Sequence, residues 1–113
     1  MITTAPSINY PTGSSGKMEL VVQGRTISSE RDFHAALDSA LDFGPYYGWN
    51  LDALWDRLTT DVARPVELVW RHSDASRAAM GDLAYSRVRQ LLLKVEQWDA
   101  ESGSPDRFTV RFE

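Results

Sequence analysis

Three short strand-like runs stand far apart in the chain, with helix-patterned sequence between them, and this spacing limits the possible folds most. MELVV (residues 18–22) and VELVW (66–70) are short apolar runs of the kind that fill a buried strand. RFTVRF (107–112) alternates apolar and polar residues, the period of a half-buried strand. Between the first two runs, Phe33, Ala36, Leu37, Ala40 and Leu41 recur at helical spacing, and Leu51, Leu54, Trp55 and Leu58 do so again. Ser29 with an acid three residues on, and Asn50, are the expected N-caps, and Gly44-Pro45 the expected stop of the first helix. Beyond the second run, Ser73-Asp74 suits the cap of a short helix that Gly81 interrupts. A longer helix is expected from Asp82 to about Trp98, with Val88, Leu91, Leu92 and Val95 as its stripe. Strands this far apart, joined through helices, favour parallel pairing. The expected fold is therefore α/β: a small three-stranded parallel sheet packed with four helices, in the order β-α-α-β-α-α-β.

The chain has 113 residues, enough for one domain. Residues 18–113 carry all the patterned sequence. Residues 1–17, rich in Ser, Thr, Gly and Pro, read as a flexible lead. That lead has neither the basic start nor the apolar stretch of a secretory signal, and no run approaches the length that spans a bilayer. There is no cysteine, which excludes a disulfide framework, a thiolate metal site and a catalytic thiol, and suits a cytoplasmic protein.

Charge narrows the function. The net charge of −4 argues against direct nucleic-acid binding, which requires a basic surface. From Glu30 to Asp61 there are seven acids (Glu30, Asp32, Asp38, Asp42, Asp52, Asp56 and Asp61) and two bases (Arg31 and Arg57). That stretch carries −5, so the rest of the chain sums to +1. Such a face steers a basic partner towards it.

GPYYGWNLDALWD (44–56) holds two tyrosines, two tryptophans and two aspartates in thirteen residues. Asp52 and Asp56 are four apart and share a helix face. The helix dipole favours Asp52 in the first turn but does not reach Asp56, and like charges at this spacing repel by roughly 0.2–0.5 kcal/mol. The pair is therefore not arranged for helix stability. On spacing alone it reads as a solvated face beside Arg57, and two carboxylates are too few to hold a metal. The loop aromatics Tyr46, Tyr47 and Trp49 either pack down on the helix or, beside carboxylates, form an interface hot spot. Trp55 lies at the edge of the core stripe. His34 and His72 have no ligand spacing, and the arginines at 71, 77, 87 and 89 read as a solvated helix face. No phosphate-binding loop or nucleophile motif is present, and nothing calls for a cofactor or an enzymatic role.

YYGWNLDALWDRLT (46–59) resembles the signature of the barstar family, small intracellular inhibitors of ribonucleases. Within it only Trp49 and Arg57 depart, where the family has an acid and a cysteine. RDFHAAL is similar to the family's first-helix segment, Pro65 with VELVWR to its second strand and RFTVRF to its third, so the resemblance covers residues 18–113. It implies a barstar-like domain that plugs the active site of a basic ribonuclease, its carboxylates standing where RNA phosphate would lie. By motif match Asp56 enters the phosphate pocket and Asp52 is the second acidic contact. Tyr46 packs near the enzyme's catalytic histidine, Asn50 and Trp55 line the same face, and Thr59 lies at the helix end; Tyr47 and Gly48 complete the candidate partner-binding set. Thr60 and Asp61 replace a family Gly-Trp pair, so that edge does not carry over. Neither does the family's Glu on the last helix: Leu93 or Lys94 falls near that position, and Glu96 is the nearest acid. The expected partner is a cognate toxin ribonuclease, bound by a chain that is monomeric when free. The alternative is an immunity or regulatory protein on the same scaffold that binds a non-ribonuclease toxin or other basic partner.

Overall fold

A computed structural model describes residues 8–9 and 17–113. The three expected strands are β2 (Met18–Gln23), β3 (Val66–Arg71) and β4 (Phe108–Phe112), and they pair in parallel in that order. The four expected helices are α1 (Glu30–Leu41), α2 (Leu51–Thr60), α3 (Ser73–Met80) and α4 (Asp82–Glu101). A two-residue strand, β1 (Ile8–Asn9), adds an antiparallel partner to the free edge of β2. The remainder of the expected flexible lead, 1–7 and 10–16, lies outside the described residues. No helix among the described residues is long and apolar enough to cross a membrane.

Alternation along the strands divides the sheet into two faces. Leu20 and Val22 of β2, Val66, Leu68 and Trp70 of β3, and Phe108 of β4 are buried in one cluster with Phe33 and Leu37 of α1, Leu54 and Leu58 of α2, and Val88, Leu92 and Val95 of α4. The opposite face carries Glu19, Glu67 and Arg111, where the Arg111 guanidinium lies 3.8 Å from Glu19 and 3.9 Å from Glu67. Trp70 anchors the core. Its ring lies 4.7 Å from that of Phe33 and 5.3 Å from that of Tyr85. Its indole N–H donates to Ser76 Oγ at 2.9 Å, and that hydroxyl donates to the Gly24 carbonyl at 2.7 Å, so this buried polar chain is closed. Gly24 must be glycine, because a Cβ there would meet the carbonyl oxygens of His72 and Arg71 at 2.2 and 2.4 Å.

The helix ends follow local chemistry. Ser29 caps α1 by accepting the Asp32 N–H, while the Asp32 carboxylate accepts the Ser28 N–H and hydroxyl, each at 3.0 Å. Those bonds from Ser28 hold the Asp32 carboxyl below its ordinary range. Asn50 caps α2 by accepting the Ala53 N–H at 2.8 Å. Two boundaries differ from expectation. α1 stops at Leu41, where Asp42 turns left-handed (φ 53°), ahead of Gly44-Pro45. The N-cap of α3 is His72, also left-handed (φ 50°); Ser73 is already helical, and its hydroxyl donates to the Glu113 main-chain oxygen at 3.0 Å.

β4 is an edge strand, and α4 seals it. The Val110 N–H donates to Glu96 at 3.0 Å and the Phe108 N–H donates to Asp99 at 2.7 Å. Two carboxylates thus occupy N–H groups that would otherwise template pairing with another chain. Asp99 also accepts from Arg64, through Nε at 2.7 Å and a terminal nitrogen at 3.1 Å. This ion pair is largely out of solvent and joins the β3 approach, α4 and β4.

Candidate functional site

The candidate surface is built on α2 and on the loop that leads into it. α2 buries Leu54 and Leu58 and turns Asp52 and Asp56 to solvent. Among the described residues neither aspartate side chain accepts a hydrogen bond or forms an ion pair. The nearest cation in the sequence does not neutralise Asp56: the Arg57 guanidinium pairs with Asp61 at 2.8 Å and lies 5.9 Å from the Phe43 ring. Among the described residues, these two carboxylates one helical turn apart therefore have no side-chain partner. They can accept charge-assisted hydrogen bonds from a cationic partner without first breaking an internal pair.

The remaining expected residues divide in two. Tyr46 is 90% exposed, an unusual position for so large an apolar ring. Gly48 and Asn50 are exposed beside it, with the Asn50 amide donating to the Gly48 carbonyl at 3.2 Å. Thr59 is half-buried and its hydroxyl donates to the Trp55 carbonyl at 2.7 Å, which leaves its oxygen free only as an acceptor. Tyr47 points the other way. It is 6% exposed, its ring packs 4.8 Å from that of Phe43, and its hydroxyl lies 2.6 Å from His34 Nδ1. Burial, with the charges of Asp38 and Glu30 nearby, pushes the Tyr47 phenol well above its ordinary pKa. Tyr47 is thus placed to support the surface from within, not to line it.

Trp55 is half-buried, and the structure adds a residue beside it. Trp98 of α4 is 46% exposed and meets the Trp55 ring at 6.0 Å, edge to face. The α4 stripe signalled Val88 to Val95; Trp98 lies one further turn along, and only its unusual exposure marks it. Glu96 is turned to the β4 edge, where its carboxylate is already engaged.

The model for the barstar (barnase inhibitor) family matches residues 17–113. The chain belongs to the barstar family. A relative from Bacillus subtilis (strain 168), named "Putative ribonuclease inhibitor YrdF", is 39% identical over 95 residues, covering 84% of this chain and 98% of the relative. The positions where this barstar-family chain departs from the expected motif have visible local consequences. Trp49 adopts a left-handed backbone (φ 53°), rare for a bulky side chain, and lies under the Arg31 guanidinium at 4.6 Å from its ring centre. Arg57 and Asp61 pair with each other, so the C-terminal end of α2 is partly neutralised while its N-terminal half is not.

Proposed function

We propose that this barstar-family chain inhibits a ribonuclease by covering its active site with α2 and the 44–50 loop, Asp52 and Asp56 taking the place of RNA phosphates. The observation that carries this reading is the pair of exposed aspartates on one helix, without a side-chain partner among the described residues and with Arg57 paired to Asp61 instead. A ribonuclease active site must be cationic to hold RNA. A fixed carboxylate pair there forms short charge-assisted hydrogen bonds, and the surrounding aromatic surface of Tyr46 and Trp55 excludes water. Tyr46, Gly48, Asn50, Trp55 and Thr59 form the contact surface around the acids. The protein acts without a cofactor and without chemistry of its own, as a monomer in the cytoplasm that protects its producer from a toxin.

An inhibition titration against a barnase-type microbial ribonuclease tests this. Stoichiometric loss of RNA cleavage is the expected result. An enzyme left fully active by excess protein would move the partner to another basic protein, to be sought by pull-down among the toxins of the same organism.

Two further outcomes are expected. The association rate falls steeply as salt is added, because screening shortens the reach of the acidic face; stopped-flow mixing over a salt series measures this, and a flat dependence would count against steering. Truncating Trp98 to alanine weakens the complex by about 1 kcal/mol or more if the Trp55–Trp98 pair lines the contact. Its effect on the free protein is of similar size, from the lost ring contact. Calorimetry well below the melting temperature separates the two, and unchanged affinity would make Trp98 a packing residue of the α2–α4 seam.

A further inference from the structure

The loop that bears Tyr46 is held from beneath by one face of α1. Exposure alternates along it: Tyr46 and Gly48 are exposed, whereas Tyr47 is buried and Trp49 half-buried. The two inward residues meet two α1 residues three apart, which therefore lie on one helix face. Tyr47 meets His34 through its hydroxyl at 2.6 Å, and Trp49 lies under Arg31 at 4.6 Å. His34 is 1% exposed, and its other ring nitrogen lies 2.9 Å from Glu30 Oε2. A carboxylate oxygen only accepts, so Nε2 donates to Glu30, and the Tyr47 hydroxyl partners the other ring nitrogen.

Neither contact is the least costly way to build a core. An apolar residue at position 34 would avoid desolvating an imidazole, which is tolerable here because both ring nitrogens are partnered. A left-handed backbone at a tryptophan persists only where its surroundings over-determine it. One cost lies in α1, at His34, and the other in the loop, at Trp49, and both contacts brace the loop that joins α1 to the acidic helix. We infer that Arg31 and His34 of α1 are positioning residues that template the partner-binding loop, holding Tyr46, Gly48 and Asn50 in their bound arrangement before the partner arrives. This rests on the inhibitory reading above. Its physical benefit is preorganisation: a loop already ordered does not lose that entropy on binding.

Two variants test it. Tyr47→Phe removes only a buried hydroxyl that a partner cannot reach. Arg31→Ala removes an exposed side chain and leaves the apolar core intact. For Arg31, direct electrostatics and positioning predict opposite signs. Deleting an exposed positive charge beside the loop that meets a basic enzyme would tighten the complex, whereas releasing Trp49 weakens it. Inhibition of the barnase-type ribonuclease, assayed well below the melting temperature of each variant, is expected to show a Kd about tenfold higher for each. Hydrogen exchange of the 46–50 amides in the free proteins is expected to quicken. Kd values within twofold of wild type, or a tighter complex for Arg31→Ala, overturn the positioning role, and unchanged exchange in both variants overturns the template itself. A wild-type chain that fails to inhibit overturns the inhibitory reading, and the binding role of the loop with it.

Discussion

Asp56→Ala is expected to weaken the complex with a barnase-type ribonuclease by about 2–5 kcal/mol, the cost of leaving the partner's buried cations without their carboxylate. The barnase–barstar pair is itself among the systems behind that range, so the magnitude is a family expectation and not a value obtained from this geometry. The structural reasoning is independent of it. Asp56 is exposed and has no hydrogen bond or ion pair to lose within the described residues, so its removal should scarcely change the stability of the free protein. Asp52→Ala should have the smaller effect on binding, because the family resemblance makes Asp52 the second acidic contact and Asp56 the one that enters the phosphate pocket. Calorimetric titration of both variants, with thermal melts of each free protein, checks the separation. A loss below about 0.5 kcal/mol for Asp56→Ala, against the 2–5 kcal/mol range for a buried charge pair, would remove the phosphate-mimic role.

The largest stability effect lies elsewhere. Asp99→Ala is expected to cost about 3–5 kcal/mol, because it leaves the Arg64 guanidinium largely buried without its counter-charge and strips the Phe108 N–H of its acceptor. Burial alone would raise the Asp99 pKa. The Arg64 hydrogen bonds, the Phe108 N–H and the charges of Arg64 and Arg107 outweigh it, and the carboxyl sits below its ordinary value. In the folded protein it therefore binds a proton less readily than in the unfolded chain. Its contribution is fully present above the unfolded carboxyl value of about 4 and is lost as pH falls through the lower folded value. Urea midpoints between neutral pH and about pH 3 should fall more steeply for the wild type than for Asp99→Asn over the acid end of that range. Parallel curves would show that Asp99 does not drive the acid transition.

These two effects differ in how far they can be read before folding. The acidic helix is a local feature. Asn50 as cap, the Leu51–Leu58 stripe and two aspartates four apart all lie within one helix, and the structure places each as helical periodicity requires. The parallel sheet is legible for a similar reason: three apolar runs separated by helical sequence leave few other connections. The limits appear where a residue's role depends on a partner distant in the chain. Tyr46 and Tyr47 are adjacent and chemically identical, yet one is 90% exposed and the other 6%. Periodicity does not apply in a loop, so the choice between them is made by His34 on another element. Trp55 lies at the edge of the α2 stripe and Trp98 one turn beyond that of α4, and nothing in either stripe says that the two will meet. Nothing in the sequence singles out Arg64 or Asp99; only the packing of the chain brings them together as a pair largely out of solvent. The sequence by itself determined the three parallel strands, the four helices, the N-caps of α1 and α2 and the acidic stretch, because those depend on the spacing of neighbours. The tertiary structure alone decided which aromatic turns inward, which charges are buried and which tryptophans meet, because those depend on what is packed against them.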